Sequence, residues 1–443
     1  MKLQAVKGTR DFYPQEMALR NWLSDAWRRV SLRNGFVEFD GPVIEYLDLY
    51  RAKSGDEIVS QLFSFQDRGG RELALRPEIT PTLARMVNER VNSLPRPIKW
   101  FSIPRLFRAE NPQKGRLREF FQWNVDIIGS DDALADTECV FTAVDLLQEL
   151  GLGTSDVQVR YSSRRLLSEV LRNFGISDAG ISPVLAVLDK RSKLPPQAFE
   201  EVFAKAVPDA PARAGIGRFL NVPDIESAPA GDLAAEIGIP ATDEFAAALA
   251  DIRQFQRFLR DFGIAEWCRY DTGIVRGLAY YTGIVWEVFD ASAELRALAG
   301  GGRYDNLLEV LGGPKVGATG FGMGDVVLGI LLADKGKLPD FSPMLDCFVV
   351  AEGAELVGRV LDIVARLRRS NVSADFSVKS QALGRLLKEA SRRRARLAII
   401  VMPDVVGIKD LQSGQQRDVG VEQFLASPKD FLQGTEPLAG ARG

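Results

Sequence analysis

Apolar residues recur at helical spacing from Pro14 to Asn34, where Leu19, Trp22, Leu23, Ala26, Trp27 and Val30 share a face and Gly35 follows as a stop. The next stretch, GFVEFDGPVIEY, reads as a strand, and Pro42 within it points to an edge or interface position because proline cannot donate to a ladder. RELALRPEITPTLARMVNER turns from a short strand into a helix near Pro81. IKWFSIPRLFRAE and EFFQWNVDIIG read as two strands joined by a loop that carries Lys114, Arg116 and Arg118. VQVRY alternates as a further strand. The segment from about 179 to 268 is Ala-rich, helical and punctuated by proline loops, as an insertion between strands would be. Sheet-forming sequence returns at GIVRGLAYYTGIVWEVFD, followed by AGGGRYDNLL and VGATGFGMGDVVLGILL.

The Lys-, Gly- and Pro-bearing run KGKLPDFSPM is the linker candidate. It places a first domain at 1–335, a linker at 336–343 and a second domain at 344–426. In the second domain LDCFVV, VSADFSV and ARLAIIVM alternate with helical patterns, so a small α/β domain with a parallel-rich sheet is expected. The polar tail, 427–443, is expected to fray. The cluster Arg392–Arg396 reads first as a solvated helix end, where cations favour the dipole, and second as a nucleic-acid contact.

The pattern carries chemistry at one strand above all. In EFFQWNVDIIG a period of two puts Phe120, Gln122, Asn124 and Asp126 on one face and Phe121, Trp123, Val125 and Ile127 on the other. A polar strand face is often merely solvated. Here Phe120 offers a ring to stack on, Arg116 can meet a phosphate with its planar fork, and Arg108 and Glu110 lie across the hairpin. Arg276 and two tyrosines flank small residues in RGLAYYTG, a segment that could equally be an aromatic strand on a core. AGGGRYD and GATGFGMGD are glycine-rich, but neither has the Lys-Ser/Thr ending of a P-loop.

Composition narrows the chemistry further. The 443 residues contain no histidine, and Cys139, Cys268 and Cys347 are isolated. No zinc site of His or Cys ligands, no Ser-His-Asp triad and no Cys-His pair can be built, so any reaction runs on Arg, Glu, Asp, Tyr, backbone groups or a hard cation such as Mg²⁺. With a net charge of −3, a nucleic-acid partner would require a local basic patch. No apolar run of membrane-spanning length and no secretory h-region is present, so the expectation is a cytoplasmic protein with no membrane partner.

Taken in order, these segments resemble the class II aminoacyl-tRNA synthetases, and within them the histidyl-tRNA synthetase family, over nearly the whole chain. KGTRDFYP is similar to that family's amino terminus, GFVEFDGPVIEY to its first class motif at the dimer interface, and LRPEITP to its amino-acid loop. FRAENPQKGRLREFFQWNVDIIG is similar to the second motif, and RGLAYYTG and AGGGRYDNL to the two histidine-specific signatures. The resemblance implies an α+β catalytic domain on an antiparallel sheet, with a helical insertion, followed by an α/β anticodon-binding-like domain. It implies a homodimeric histidine–tRNA ligase that uses ATP with Mg²⁺, L-histidine and tRNA(His).

By the same resemblance, Arg108 contacts the α-phosphate and substrate carboxylate, Glu110 the adenine amino group and Arg116 the γ-phosphate, while Phe120 stacks on adenine. Glu78 and Thr80, with Ile79 between them, hold the substrate amino end, and Gln122 the substrate backbone. Asp126 and Tyr281 read the imidazole, Tyr280 and Tyr304 line that pocket, Gln113 and Lys114 meet the tRNA acceptor end, and Arg276 joins Arg108 as the second catalytic cation. The chain departs from the family at Ala279, where an acidic residue is usual, and at Ala109 and Phe121, where histidines are common. It also departs at Val326 and Val327, which stand where the third motif ends in a Glu-Arg pair whose arginine faces the γ-phosphate. Arg303 and the helix amino terminus after Gly324 are the expected substitutes. The alternative is a non-catalytic paralogue, a regulatory subunit of the ATP phosphoribosyltransferase type or a histidine or tRNA sensor.

Overall fold

The computed structural model describes residues 3–54, 61–191, 194–222, 225–275, 280–341, 345–379 and 381–432. The chain divides into two compact units, Met1–Tyr13 with Leu19–Pro339 and Pro14–Ala18 with Asp340–Gly443. Helix α1 (Pro14–Arg33) opens with proline in its first turn, where the missing N–H has no intrahelical partner to lose, and buries Leu23, Ala26, Trp27 and Val30. Trp27 stacks on Trp123 at 6.4 Å. The Trp123 indole donates to Ser31 Oγ (2.8 Å).

The run predicted as a single edge strand is two short strands in different sheets, β1 (Val37–Glu38) and β2 (Ile44–Tyr46). The break falls at Asp40-Gly41-Pro42, where Asp40 accepts from Gly41 N and pairs with Arg76 at 2.5 Å. Both pieces are edges: β1 ends the large sheet, and β2 ends a three-stranded sheet with β3 (Ser64–Gln66) and β4 (Glu72–Leu75). Between β2 and β3 lies α2 (Leu47–Ser54), and after β4 comes α3 (Thr80–Glu89). The first of the two predicted hairpin strands is likewise split, at Pro104, into β5 (Ile98–Ser102) and β6 (Arg105–Phe107). Both pair antiparallel with the ten-residue β7 (Glu119–Ile128).

Beyond β7, α4 (Ala133–Glu149) starts on an Asp132 cap and leads through β8 (Val157–Ser163) to α5 (Arg164–Asn173), capped by Ser163. The insertion is helical as expected, formed by α6 (Asp178–Leu188), α7 (Pro196–Ala206), α8 (Ala210–Leu220), α9 (Ala230–Ile237) and α10 (Asp243–Asp261). The chain returns through β9 (Cys268–Tyr270), β10 (Ile284–Asp290), β11 (Ala299–Arg303), α11 (Leu307–Val310), β12 (Ala318–Gly324) and α12 (Asp325–Asp334). Among the described residues the large sheet runs β1-β5-β7-β12-β11-β10-β8-β9, parallel only at β1–β5 and β8–β9. The sheet is thus mostly antiparallel, as expected, with β7 and β12 side by side in its interior.

The second unit has strands β13 (Leu345–Ala351), β14 (Ala374–Phe376), β15 (Ala395–Val401), β16 (Val405–Asp410) and β17 (Gln416–Gly420). Its helices are α13 (Val357–Arg369), α14 (Leu383–Arg392) and α15 (Val421–Ala426). Along β13 the period of two sends Cys347 and Val349 to the core beneath α13, and Phe348 and Val350 to the core beneath α14. The sheet, order β14-β13-β15-β16-β17, is mixed and not parallel-rich. β13 runs parallel to both neighbours, but the links after β15 and β16 are too short for a crossover, so those pairs are antiparallel. The tail does not fray at once: Pro428–Leu432 form a 3-10 turn that buries Leu432 and sets Phe431 against Phe424. In the basic cluster Arg393 pairs with Asp375 (3.2 Å) and Arg394 with Asp340 (3.1 Å).

Candidate active site

The site is built on β7. Phe121, Trp123, Val125 and Ile127 enter the main core, while Phe120, Gln122, Asn124 and Asp126 line a cleft of about 420 Å3. Neighbouring β12 supplies the floor. Its register sets Gly320 opposite Asp126 and Gly322 opposite Asn124. A Cβ on Gly320 would stand 2.3 Å from Asp126 Oδ1, and one on Gly322 2.7 Å from the Gln122 amide carbon. The glycines of GATGFGMG are therefore strand positions emptied so that the polar side chains of β7 can lie over them, and not a phosphate loop.

At the inner end of the cleft Asp126 is 3% exposed. Its Oδ1 accepts from the Tyr304 hydroxyl, and its Oδ2 is buried with no hydrogen-bond donor among the described residues. Burial pushes this carboxyl up to about 7, with the Tyr304 hydroxyl and the charge of Lys53 pulling the other way. Burial and the Asp126 charge both raise the Tyr304 phenol. Tyr281 and Tyr304 are buried, Tyr280 is half-buried, and the rings of Tyr280 and Tyr281 lie 4.6 Å apart. Lys53, at the end of α2, reaches into this corner with its side chain 1% exposed. Its ammonium lies 2.6 Å from Glu78 and 3.9 Å above the Tyr280 ring. Burial lowers its pKa, against the pull of Glu78.

At the outer end Arg108 lies over Phe120, 5.0 Å from the ring centroid, and donates to the Pro77 carbonyl (3.2 Å). Burial lowers the Arg108 pKa while Glu78 and Glu110 oppose the shift, and a guanidinium in a protein stays charged. Glu110 forms an ion pair with Arg116. The loop turns at Gln113–Arg116, closed by reciprocal backbone bonds of 2.9 Å, with Gly115 at φ +75° and with Gln113 and Lys114 exposed at the tip. Thr80 and Glu78 line the cleft wall where α3 begins.

Three of the predicted residues stand outside this set. Ile79 is fully buried, its carbonyl accepting from Leu83 as α3 starts, so its side chain is core and only its backbone neighbours the cleft. Arg276, with Ala279, lies outside the described residues. Arg303 is not a phosphate cation. It is buried and clamps β11 to the start of α4 by pairing with Asp136 (2.7 Å) and Asp305 (3.1 Å) and donating to the Ser130 and Asp132 carbonyls.

The start of α12 carries Val326 and Val327 into the cleft wall. Asp325 beside them is occupied, pairing with Arg10 (2.6 Å) and accepting from Phe121 N (3.0 Å). This ties KGTRDF to both motifs. Sequence reading did not single out Lys53, Gln61, Glu287 or Arg296, which also border the cleft. Lys53 and Gln61 flank a segment without motif character. Glu287 follows the alternation of β10, and Arg296 stands two residues ahead of the buried Leu298.

Among the described residues no group of three or more His, Cys, Asp or Glu gathers to hold a metal. The cleft carboxylates Glu78, Glu110, Asp126 and Asp325 have protein partners in Lys53, Arg116, Tyr304 and Arg10. Carboxylates so committed do not suit a resident metal cage.

The model of the family described as histidyl-tRNA synthetase matches residues 8–324. A protein of Opitutus terrae named histidine–tRNA ligase is 40% identical over 97% of this chain and 98% of its own length. The chloroplastic and mitochondrial histidine–tRNA ligase of Arabidopsis thaliana is 38% identical over 93% of this chain and 84% of its own. The crystal structure of histidyl-tRNA synthetase from Nostoc sp. PCC 7120 shares the fold with a TM-score of 0.79, at 22% identity over 97% of this chain and all of that one.

Proposed function

We infer the working of this site from the premise that the chain belongs to the histidyl-tRNA synthetase family. It acts as a histidine–tRNA ligase, a class II synthetase that activates L-histidine with ATP and passes the histidyl group to tRNA(His). The observation that carries the reading is a single strand with both halves of the reaction on one face. The buried Asp126 oxygen, without a donor among the described residues, serves an imidazole N–H at one end, and the Arg108–Phe120 stack serves a nucleotide at the other.

We assign the imidazole to Asp126 and Tyr281, with Tyr280 and Tyr304 as walls. The α-amino group goes to Glu78 and Thr80, and Gln122 to the substrate backbone. Adenine stacks on Phe120 with its amino group toward Glu110, and Arg116 takes the γ-phosphate. Gln113 and Lys114, exposed at the loop tip, fit the acceptor end of the tRNA. Arg276, from the sequence motif alone, completes the set.

In the first step a histidine carboxylate oxygen bonds to the α-phosphorus of ATP, and the bond from that phosphorus to the β-bridging oxygen breaks, releasing pyrophosphate. No proton has to be removed from the nucleophile. The obstacle is repulsion between two anions and the charge growing at phosphorus, which fixed guanidinium groups oppose without reorganising. A chain without histidine loses nothing by this. ATP arrives as its magnesium complex, the ion adding charge neutralisation on the phosphates.

Two further features extend the reading. Val37, Ile44, Tyr46 and Phe65 are exposed on the edge strands β1, β2 and β3, an apolar surface that suits a homodimer contact. The three cysteines are free, in keeping with a cytoplasmic enzyme.

The rival regulatory paralogue would not need Arg108, Glu110, Arg116 and Phe120 arrayed for a nucleotide. Charging of a tRNA(His) transcript with labelled histidine separates the two. A synthetase charges it in an ATP-dependent manner. Histidine binding without charging under any magnesium concentration would favour the regulator.

A further inference from the structure

We propose that Arg296 is the cation that grips the β- and γ-phosphates in this enzyme, taking the task for which Val326 and Val327 have no side-chain donor. The assignment rests on the ligase reading above. The two valines are apolar, and Arg303 is locked in its buried clamp. A phosphate tail entering the cleft beside Arg116 therefore needs a second guanidinium from elsewhere.

Arg296 stands at that place. It lines the same cleft. A Cβ on Gly115, the residue before Arg116, would lie 3.2 Å from Val327 Cγ2 and 4.0 Å from Arg296 Cδ, so Val327 and the Arg296 stem flank one point of the loop. The segment is held there from both sides. Asp290, 2% exposed, accepts from the backbone of Glu294 (3.2 Å) and Leu295 (3.0 Å). Two residues past Arg296, Leu298 donates to Val288 (2.8 Å) and accepts from Gly324 N (3.3 Å), which binds the segment to the start of α12.

A surface arginine near a loop is ordinarily just solvated or paired. Arg116 has Glu110 and Arg10 has Asp325, but among the described residues Arg296 has no carboxylate partner, although it lies against a cleft wall. A planar fork on a braced segment of the cleft lining, with no carboxylate partner among the described residues, is suited to bidentate phosphate contact. As the bond between the α-phosphorus and the β-bridging oxygen breaks, the electron pair leaves with pyrophosphate, and Arg296 neutralises that charge together with Arg116.

The test compares wild type with Arg296→Ala and Arg296→Lys, using ATP, pyrophosphate and 5′-O-(histidylsulfamoyl)adenosine, an adenylate mimic without β- or γ-phosphate. Arg296 is exposed, so neither change threatens folding. The expected result is that Ala raises KM for ATP and for pyrophosphate and lowers exchange about 100-fold, the scale of one lost transition-state donor. Lys should recover part of this, and the mimic should bind all three proteins equally. Unchanged KM values for ATP and pyrophosphate would overturn the assignment, and so would an equal loss of affinity for the mimic, which would make the residue a structural one. A wild-type enzyme without any exchange would instead overturn the ligase reading and this assignment with it.

Discussion

Asp126 shows most clearly how one residue joins fold and function. A carboxyl held up at about 7 by burial binds more protons in the folded chain than in the unfolded one, whose value is 3.8. Its contribution to the stability of the free enzyme is therefore present at low pH and falls as pH rises from about 4 to about 7. Replacing it should remove that slope, so the melting temperature of Asp126→Asn relative to wild type should climb across this window and level off above it. An imidazole N–H bound to Oδ2 favours the ionised form, so histidine affinity should rise with pH through about 7 in wild type and much less in the variant. Calorimetric titration at pH 6 and pH 8 checks this, and parallel profiles in both proteins would remove Asp126 from recognition. The strand period alone placed Asp126, Gln122 and Phe120 on one face. Lys53 was illegible by contrast, because it ends a short helix with no motif and its role depends on where Glu78 and Tyr280 arrive from distant parts of the chain.

Among the elements, β7 and β12 together build the cleft, and the glycines of β12 leave room for the polar side chains of β7. Gly320→Ala would put a methyl group 2.3 Å from Asp126 Oδ1, closer than real contacts, so the carboxylate must move. The expected outcome is a loss of stability of about 1–3 kcal/mol from overpacking and at least a tenfold rise in KM for histidine. Gly329→Ala, within α12 where nothing lies within 4 Å, should instead stabilise by about 0.5–1 kcal/mol and leave KM alone. Thermal melting and steady-state kinetics of the two variants decide the matter. Alternation made β7, β8 and β10 readable, and helical spacing made α1 and the insertion readable. The strands containing Pro42 and Pro104 were harder, since the proline breaks the ladder while the apolar pattern runs on across it. Arg303 failed as a reading because sequence gives residue type but not partner, and Asp136 lies far away in the chain.

For the whole molecule, the chain forms two compact units, and we propose a division of labour with activation in the larger and tRNA recognition in the smaller. A chain ending at Pro339 should keep adenylation within a few-fold and lose most tRNA charging; equal loss of both would contradict the division. The mixed sheet of the second unit could not be read from its strand–helix alternation, because only the length of the links after β15 and β16 reveals the antiparallel hairpins. The absence of histidine from the chain fits a reaction driven by placed guanidinium charge, with no general base at its centre. The central claim is that this cleft activates histidine, and ATP–pyrophosphate exchange measured with each of the twenty amino acids, with Arg108→Ala as control, tests it most directly. The account predicts exchange with histidine alone, reduced about 100-fold or more in the control. Exchange driven by another amino acid, or none with any while histidine still raises the melting temperature, would contradict it.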